Sequence, residues 1–559
     1  IRECARYAAP KGISLGVEPL NRFETDLINT VDQGLGLLDE IGEANVGLLL
    51  DTFHMNIEEK DLPKAIRKAS GRITEFHACS SDRGTPGEDL RAVDAWALGF
   101  KGDGVRVAVV DDSIETVHED LWQNFASSLA AGAFFNYRPG AAPGTQPLPY
   151  YLDEDHGTSV AGIITARDDN AAGGAGVAPH AQLAAYNPLA HGANSNADIA
   201  DALRRDGTAT AIYNNSWGSP DNGVLNPAEQ SFIDAIEGGI AGGRGGKGSI
   251  YVFPAGNGGC YLRNPDHTCA YNENSNLDGY VNKRGVIAVC AVDENGRAPV
   301  YAEPGANILV CGPSSNERSG ITTTTTRNGY RSDFSGTSAA TPMVSGVVAL
   351  MLQANPNLTW RDVRLILARS ARRNDAGDSG WSTNFGLHFN PKYGFGTADA
   401  AAAANLARIW TSVGGTTALQ KCGPYVRGSG AGPFPIDIPQ SSVPNASGAI
   451  DSVDASACTL TSIEFVEVRF TATHSYSGDL RIELVSPNGL RSLLADKRLC
   501  NLDGDAYADD CGSYSQWPFG SVRHMDEPAA GTWQLRVVDA SPDSDQGRWN
   551  SWQLTLWGR

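Results

Sequence analysis

One run constrains this chain more than any other: Ser332-Asp333-Phe334-Ser335-Gly336-Thr337-Ser338-Ala339-Ala340-Thr341-Pro342-Met343, passing straight into the apolar stretch VSGVVALMLQA. An apolar stretch of this kind fixes a helix inside a core. Gly336 lets the backbone turn sharply, and Pro342 is expected in a first turn that needs no amide donor. Ser338 then stands at the N-terminus of a buried helix. Free N–H groups and the helix dipole there favour negative charge on its oxygen and on an oxyanion beside it. Gly-Thr-Ser is also the composition of a plain N-cap. Other segments decide between the two readings.

Three of them carry chemistry. VRVAVV reads as a short β-branched strand of a sheet buried on both faces. It ends in Asp111-Asp112, where α/β proteins place their sites. Next comes Asp153-Glu154-Asp155-His156-Gly157-Thr158, which opens the apolar helix VAGIITA with a histidine flanked by acids. Then Tyr251-Val252-Phe253-Pro254-Ala255-Gly256-Asn257-Gly258-Gly259 runs a strand into a Gly-rich loop. Its single amide, Asn257, can donate to a developing oxyanion. The order Asp, His, Ser on a predicted parallel α/β core is one of the known orders of a nucleophilic triad.

The segments DDSIETVHEDL, DHGTSVAGII, NNSWG, PAGNGG and SGTSAATPMVSGVVALML together resemble the subtilase superfamily. The doubled Asp, SWGSPDNG and LDGY are similar to its kexin/furin branch. The resemblance implies a serine endopeptidase. Ser338 would attack the scissile carbonyl and His156 would carry the proton. Asp111 would hold the imidazole, and Asn257 with the Ser338 N–H would hold the oxyanion. It also implies that Asp221 and Asp278 line S1, the pocket for the residue before the cut, and that Asp112 and Asp153 line S2. Cleavage after paired Lys/Arg is then expected, with Arg favoured at S1 because its fork can engage two carboxylates. Asp201 is a candidate for S4, where Asn226 replaces an expected acid. Calcium, one to three ions, is the implied cofactor. One ion would use Asp120, Asn170 and carbonyls of RDDNAAGGAG, and a second, beneath S1, would use Asp221, Asp266 and Glu303. The first site is expected to lack a ligand, because other text replaces the residues that normally precede DLRAVDAW.

The totals agree. A net charge of -20 argues against a nucleic-acid partner and for cations or basic peptides. No run approaches the roughly 20 apolar residues of a membrane helix. No signal peptide is visible, and the start at Ile1 reads as a processed or partial sequence. Among ten cysteines, Cys260 with Cys269 and Cys500 with Cys511 read as local disulfides. Cys422 with Cys458 and Cys290 with Cys311 could complete the set, although spacing does not fix connectivity. An oxidising compartment, secreted or periplasmic, is expected, with a pro-segment or chaperone as a further partner.

Two flanking regions differ from this unit, which is read as residues 88–412. Residues 1–87 alternate short strands with helical patterns, implying parallel βα units. VEPLNRFETD, LDTFHMNIEEKD and FHACSSDRGTPG resemble the D-tagatose/D-psicose 3-epimerase family of metal-dependent TIM barrels. That resemblance implies Glu18, Asp51 and His77 as metal ligands, with His54 and Arg83 near a sugar. Only part of a barrel is covered, so an inactive fragment, poorly ordered or docked on its neighbour, is expected rather than a ketose 3-epimerase. Residues 413–559 begin with a Gly/Pro-rich linker and shift to a period of two in FVEVRFTATH, GDLRIELVSP, GTWQLRVVDA and SWQLTLWG, an all-β sandwich. HSYSGDLRIELVSPNGLRSLLADKR and GTWQLRVVDASPDSDQGRWNSWQLTLWG resemble the P domain of kexin-like proteases.

Overall fold

The computed structural model describes the whole chain except residues 78–87, 127–131, 143, 171, 194, 261, 264–268, 317–319, 429–432, 442–447, 501–510 and 542–544. The side chains of 52–53, 56, 63, 75–77, 126, 262–263 and 269–271 also lie outside the description.

The N-terminal strands β1 (Leu15–Val17), β2 (Val46–Asp51) and β3 (Ile73–His77) form a parallel sheet in the order β1-β2-β3. The helix Val31–Ile41 packs on it, started by a Thr30–Gln33 capping box. Val31, Leu38, Ile41, Leu48 and Leu50 make a small core of their own. The sheet stays open. The fragment is docked on its neighbour, with the Phe23 ring 4.9 Å from that of Tyr330.

The central sheet has seven strands, all paired in parallel: β4 (Arg106–Val110), β5 (Phe134–Phe135), β6 (Gln182–Tyr186), β7 (Thr210–Asn214), β8 (Ile250–Pro254), β9 (Val286–Val292) and β10 (Ile308–Pro313). Their order is β10-β9-β8-β7-β4-β6-β5. β4, β8, β9 and β10 are buried along their whole length, as the apolar runs require of a sheet covered on both faces. From β4 the chain winds one way to β6 and β5 and the other way through β7 to β10. The strand order reverses direction beside β4, and sheets of this kind bind ligands outside the carboxyl ends of the strands at such a switch point.

Three helices bear on the site: α1 (His156–Thr165), α2 (Thr337–Ala354) and α3 (Trp360–Ser370). Among the described residues α2 alone is long and apolar enough to cross a membrane, but 83% of it is buried in this core. Gly336, with φ +78°, makes the turn into it. The helix starts at Thr337, which puts Pro342 in the second turn rather than the first. Its missing N–H leaves the carbonyl of Ser338 without a helical partner.

The C-terminal region is a sandwich of two antiparallel sheets around Trp533, Trp549 and Trp552. It is clamped to the central domain by charge. Arg361 of α3 is fully buried and forks onto Glu464, Nε to Oε2 at 2.8 Å and Nη2 to Oε1 at 2.6 Å. Arg559 bridges Glu464 and Asp526, and Asp526 also pairs with Arg369. Disulfides join Cys290 to Cys311, Cys422 to Cys458 and Cys500 to Cys511. Cys260 is disulfide-bonded too, while Cys269 is among the side chains outside the description.

Candidate active site

Two of the three residues expected to form a triad, Asp111 and His156, meet in the structure. Asp111 follows β4 directly and is 2% exposed. Its Oδ1 accepts the Nδ1–H of His156 at 2.8 Å, which leaves Nε2 as the proton acceptor facing the cleft. Asp111 Oδ1 also accepts the Asp112 N–H at 2.8 Å, while Oδ2 is buried with no hydrogen-bond partner. The Phe334 ring lies 5.2 Å from the imidazole and backs it. Asp112 secures the start of α1: Oδ2 accepts from His156 N at 3.2 Å and Oδ1 from Gly157 N at 2.8 Å. Burial works against charge on His156, but Asp111, Asp112 and Asp155 outweigh it and raise the imidazole above its ordinary range. Burial and the Asp111 charge push Asp112 up in turn.

Ser338 is half-buried at the first turn of α2. Its Oγ donates to the carbonyl of Ser216 at 3.0 Å, not to His156. The Ser338 hydroxyl thus rests on the segment after β7, and the residue after Ser216, Trp217, donates Nε1–H to Val110 O at 2.8 Å, at the end of β4.

Asn257 is exposed beyond the end of β8. Its Oδ1 accepts from Thr337 N at 2.8 Å and Thr337 Oγ1 at 2.9 Å. Those two bonds fix the amide so that Nδ2 faces outward as a donor. The Ser338 N–H is among the free amides of the first turn of α2. Thr337 thereby ties the Asn257 amide to the turn that carries Ser338.

The acidic residues separate into distinct environments. Asp278 is half-buried and accepts from Ser219 N (2.9 Å), Ser219 Oγ (3.0 Å) and Tyr280 N (2.7 Å). Burial outweighs these bonds and raises its pKa. Asp221 is held by Asn257 N at 3.3 Å. Asp153 is exposed and meets His191 Nε2 at 3.1 Å. Asp201 is already neutralised, paired with Arg205 and accepting from Tyr137 Oη at 2.7 Å. Asn226 turns its amide onto Pro220 O, Val224 O and Asn222.

Asp221, Glu273 and Glu303 bring carboxylate oxygens within 4.8 Å of one another. Glu273 is 4% and Glu303 3% exposed. Burial, then the neighbouring Glu273 and Asp221 charges, raise Glu303 well above the usual carboxylate range. Three acids packed this way need a cation or protons between them, so the set fits a hard divalent ion. Glu273 was not anticipated; a lone acid in the polar run after Cys269 gives no spacing signal. Asp266, the residue expected there, lies outside the described residues. Asp120 and Asn170 do meet, but Asn170 Nδ2 donates to Asp120 Oδ1 at 2.7 Å, and Asn170 Oδ1 takes the Ala172 N–H at 3.0 Å. The two side chains are hydrogen-bonded to each other.

In the N-terminal sheet Glu18 and Asp51 converge with His54. The side chain of His77 and all of Arg83 lie outside the described residues.

Comparison with known proteins agrees with this geometry. Residues 102–396 match the model of the subtilase family, 463–556 the proprotein convertase P-domain, and 1–107 the xylose isomerase-like TIM barrel. The chain is 32% identical to neuroendocrine convertase 2 of Bos taurus over 85% of its own length and 71% of the relative's. It is 33% identical to the dibasic-processing endoprotease of Schizosaccharomyces pombe, over 87% of the chain and 64% of that protein. A crystal structure of the serine protease of Aeromonas sobria superposes with TM-score 0.72 at 26% identity, over 85% of this chain and 92% of the other. That protease has also been crystallised with a chaperone, and that structure gives TM-score 0.72 at 27% identity over 85% and 91%.

Proposed function

The chain belongs to the subtilase family of serine endopeptidases and carries a C-terminal P domain; from that premise we propose that it cuts peptides after paired basic residues, with calcium as a structural cofactor. We take residues 88–412 as the catalytic unit and 413–559 as the domain that supports it.

In this reading Ser338 leaves Ser216, gives its proton to His156 Nε2 and attacks the carbonyl. Asp111 steadies the resulting imidazolium, and Asn257 Nδ2 with the Ser338 N–H stabilises the oxyanion. His156 then protonates the leaving amine, and the acyl-enzyme is hydrolysed by the reverse steps. The basic preference is carried by one observation: Asp278, a half-buried carboxylate beside Ser219 with no cation paired to it among the described residues. A guanidinium or ammonium at S1 would give it the partner that burial demands. Asp112 and the exposed Asp153 are assigned to S2. Asp201 is already paired, so S4 selects weakly.

Asp221, Glu273 and Glu303 would hold one calcium ion, and Asp120 with Asn170 would form a poorer second site. When bound, the ion supplies positive charge that lets the acids under the Asn257 loop stay ionised. The disulfides support a secreted or periplasmic location, and a chaperone or pro-segment is the proposed folding partner. Fluorogenic peptides ending in Lys-Arg, Ala-Arg and Ala-Phe test the specificity. Lys-Arg is expected to be cut fastest and Ala-Phe hardly at all; equal turnover of all three removes the dibasic assignment. Calcium should raise the thermal midpoint of the wild type, and Glu303→Gln should abolish most of that rise.

A further inference from the structure

The two segments assigned to S1 are each gripped by the C-terminal sandwich, two residues from their carboxylates. On the first, Gly223 follows Asp221. The fully buried Arg498 donates Nε–H to Gly223 O at 2.6 Å, and its Nη1 reaches Tyr514 Oη at 3.1 Å. Gly223 has φ +74°, and a Cβ there would lie 1.8 Å from Leu499 O, so the segments touch backbone to backbone. On the second, Asn276 precedes Asp278 and is fully buried. Its carbonyl accepts Trp517 Nε1–H at 3.0 Å and its Oδ1 accepts Gly520 N–H at 2.7 Å. The segments are also stapled to each other: Asn226 N donates to Leu277 O at 3.1 Å and Gly279 N to Asn226 O at 2.8 Å.

Arg498 pairs with no carboxylate among the described residues, and its Nη2 is buried without a partner. Burying a guanidinium this way is costly, and an apolar side chain of similar volume would hold two domains together as well or better. What the guanidinium supplies is direction, since a planar donor fixes the position of the carbonyl it meets.

We propose that the C-terminal sandwich is a working wall of the S1 frame, with Arg498 a positioning residue that sets the separation of Asp221 and Asp278 and so the selection for a basic P1 side chain. Trp517 and Gly520 do the same from the Asn276 side. This rests on the assignment of Asp221 and Asp278 to S1. A merely structural Arg498 would change stability and leave the choice among P1 residues alone.

The test uses the full-length protein with three peptides differing only at P1: Arg, Lys and Phe. Arg498→Met is expected to raise KM for the Arg peptide roughly tenfold with kcat little changed, narrowing the Arg-to-Phe ratio of kcat/KM well below the melting temperature. Arg498→Lys should restore part of that ratio. Trp517→Phe, which removes one N–H and keeps a ring, should narrow it less, and it stands in if Arg498→Met does not fold. An unchanged ratio in variants with lowered melting temperature, or an equal loss on all three peptides, overturns the proposal. Asp278→Asn in the same assay keeps the two ideas apart. If it leaves the Arg preference intact, the S1 assignment is wrong. If it abolishes the preference while the Arg498 and Trp517 variants do not touch it, only the inference fails.

Discussion

Ser492, His524 and Glu527 of the sandwich are linked as a hydrolase links its residues: Ser492 Oγ lies 3.0 Å from His524 Nε2, and His524 Nδ1 lies 2.7 Å from Glu527 Oε2. In the cleft, Asp111 and His156 are joined at 2.8 Å, but Ser338 rests on Ser216 instead. By hydrogen-bond geometry alone the sandwich holds the better triad. All three of its members are fully buried, whereas the His156 side chain is 34% exposed. Ser521, Ser486 and Asn488 occupy the remaining positions around Ser492 and Glu527. Burial pushes His524 down while its acids hold His156 up. The contrast teaches that a triad is a cleft with oxyanion donors at a strand end, and that the same three side chains in a sealed core are a polar staple.

The largest test is covalent. A fluorophosphonate should label Ser338 and leave Ser492 untouched. Ser338→Ala should lower kcat by about 10⁵–10⁶ with the thermal midpoint nearly unchanged, and Ser492→Ala should leave kcat within about twofold. Labelling of Ser492 in the folded protein would erase the distinction. Glu527→Ala should act oppositely, removing roughly 3 kcal/mol of stability in denaturant titration while kcat at low temperature stays put. Asn257→Ala should lower kcat by about 10²–10³ with KM little affected, since it removes the Nδ2 donor assigned to the developing charge.

The smallest effect sharpens the difference between the two imidazoles. His156 must be neutral to accept a proton, and its neighbours raise its pKa, so kcat/KM should climb with pH through a range above that of a free imidazole. Asp112→Asn removes one of the raising charges and should move that limb down by roughly one pH unit or less. Asp112→Asn keeps an acceptor for the α1 amides, so an unmoved limb would mean that Asp112 acts only as a cap.

Much of this was legible because the residues sit where short sequence rules apply. Asp111 closes an unbroken apolar strand, Asn257 follows another, and Ser338 opens the one long apolar helix. What was not legible lies in tertiary approach. The resting partner of Ser338 is a backbone carbonyl, which leaves no mark in a side-chain pattern. Glu273 enters the acid cluster by tertiary approach to Asp221 and Glu303, and Arg498 looks like any loop cation until Gly223 meets it. Pro342 was placed a turn too early because Gly336 starts the helix immediately at Thr337. Asp201 looked available, but Arg205 one helical turn on had already claimed its charge.

The docked N-terminal fragment is more than a passenger. Its Phe23 leans on Tyr330, and Tyr330 belongs to the strand Gly329–Phe334, whose last ring backs His156. Removing the Phe23 contact would therefore touch one end of a strand whose other end backs His156.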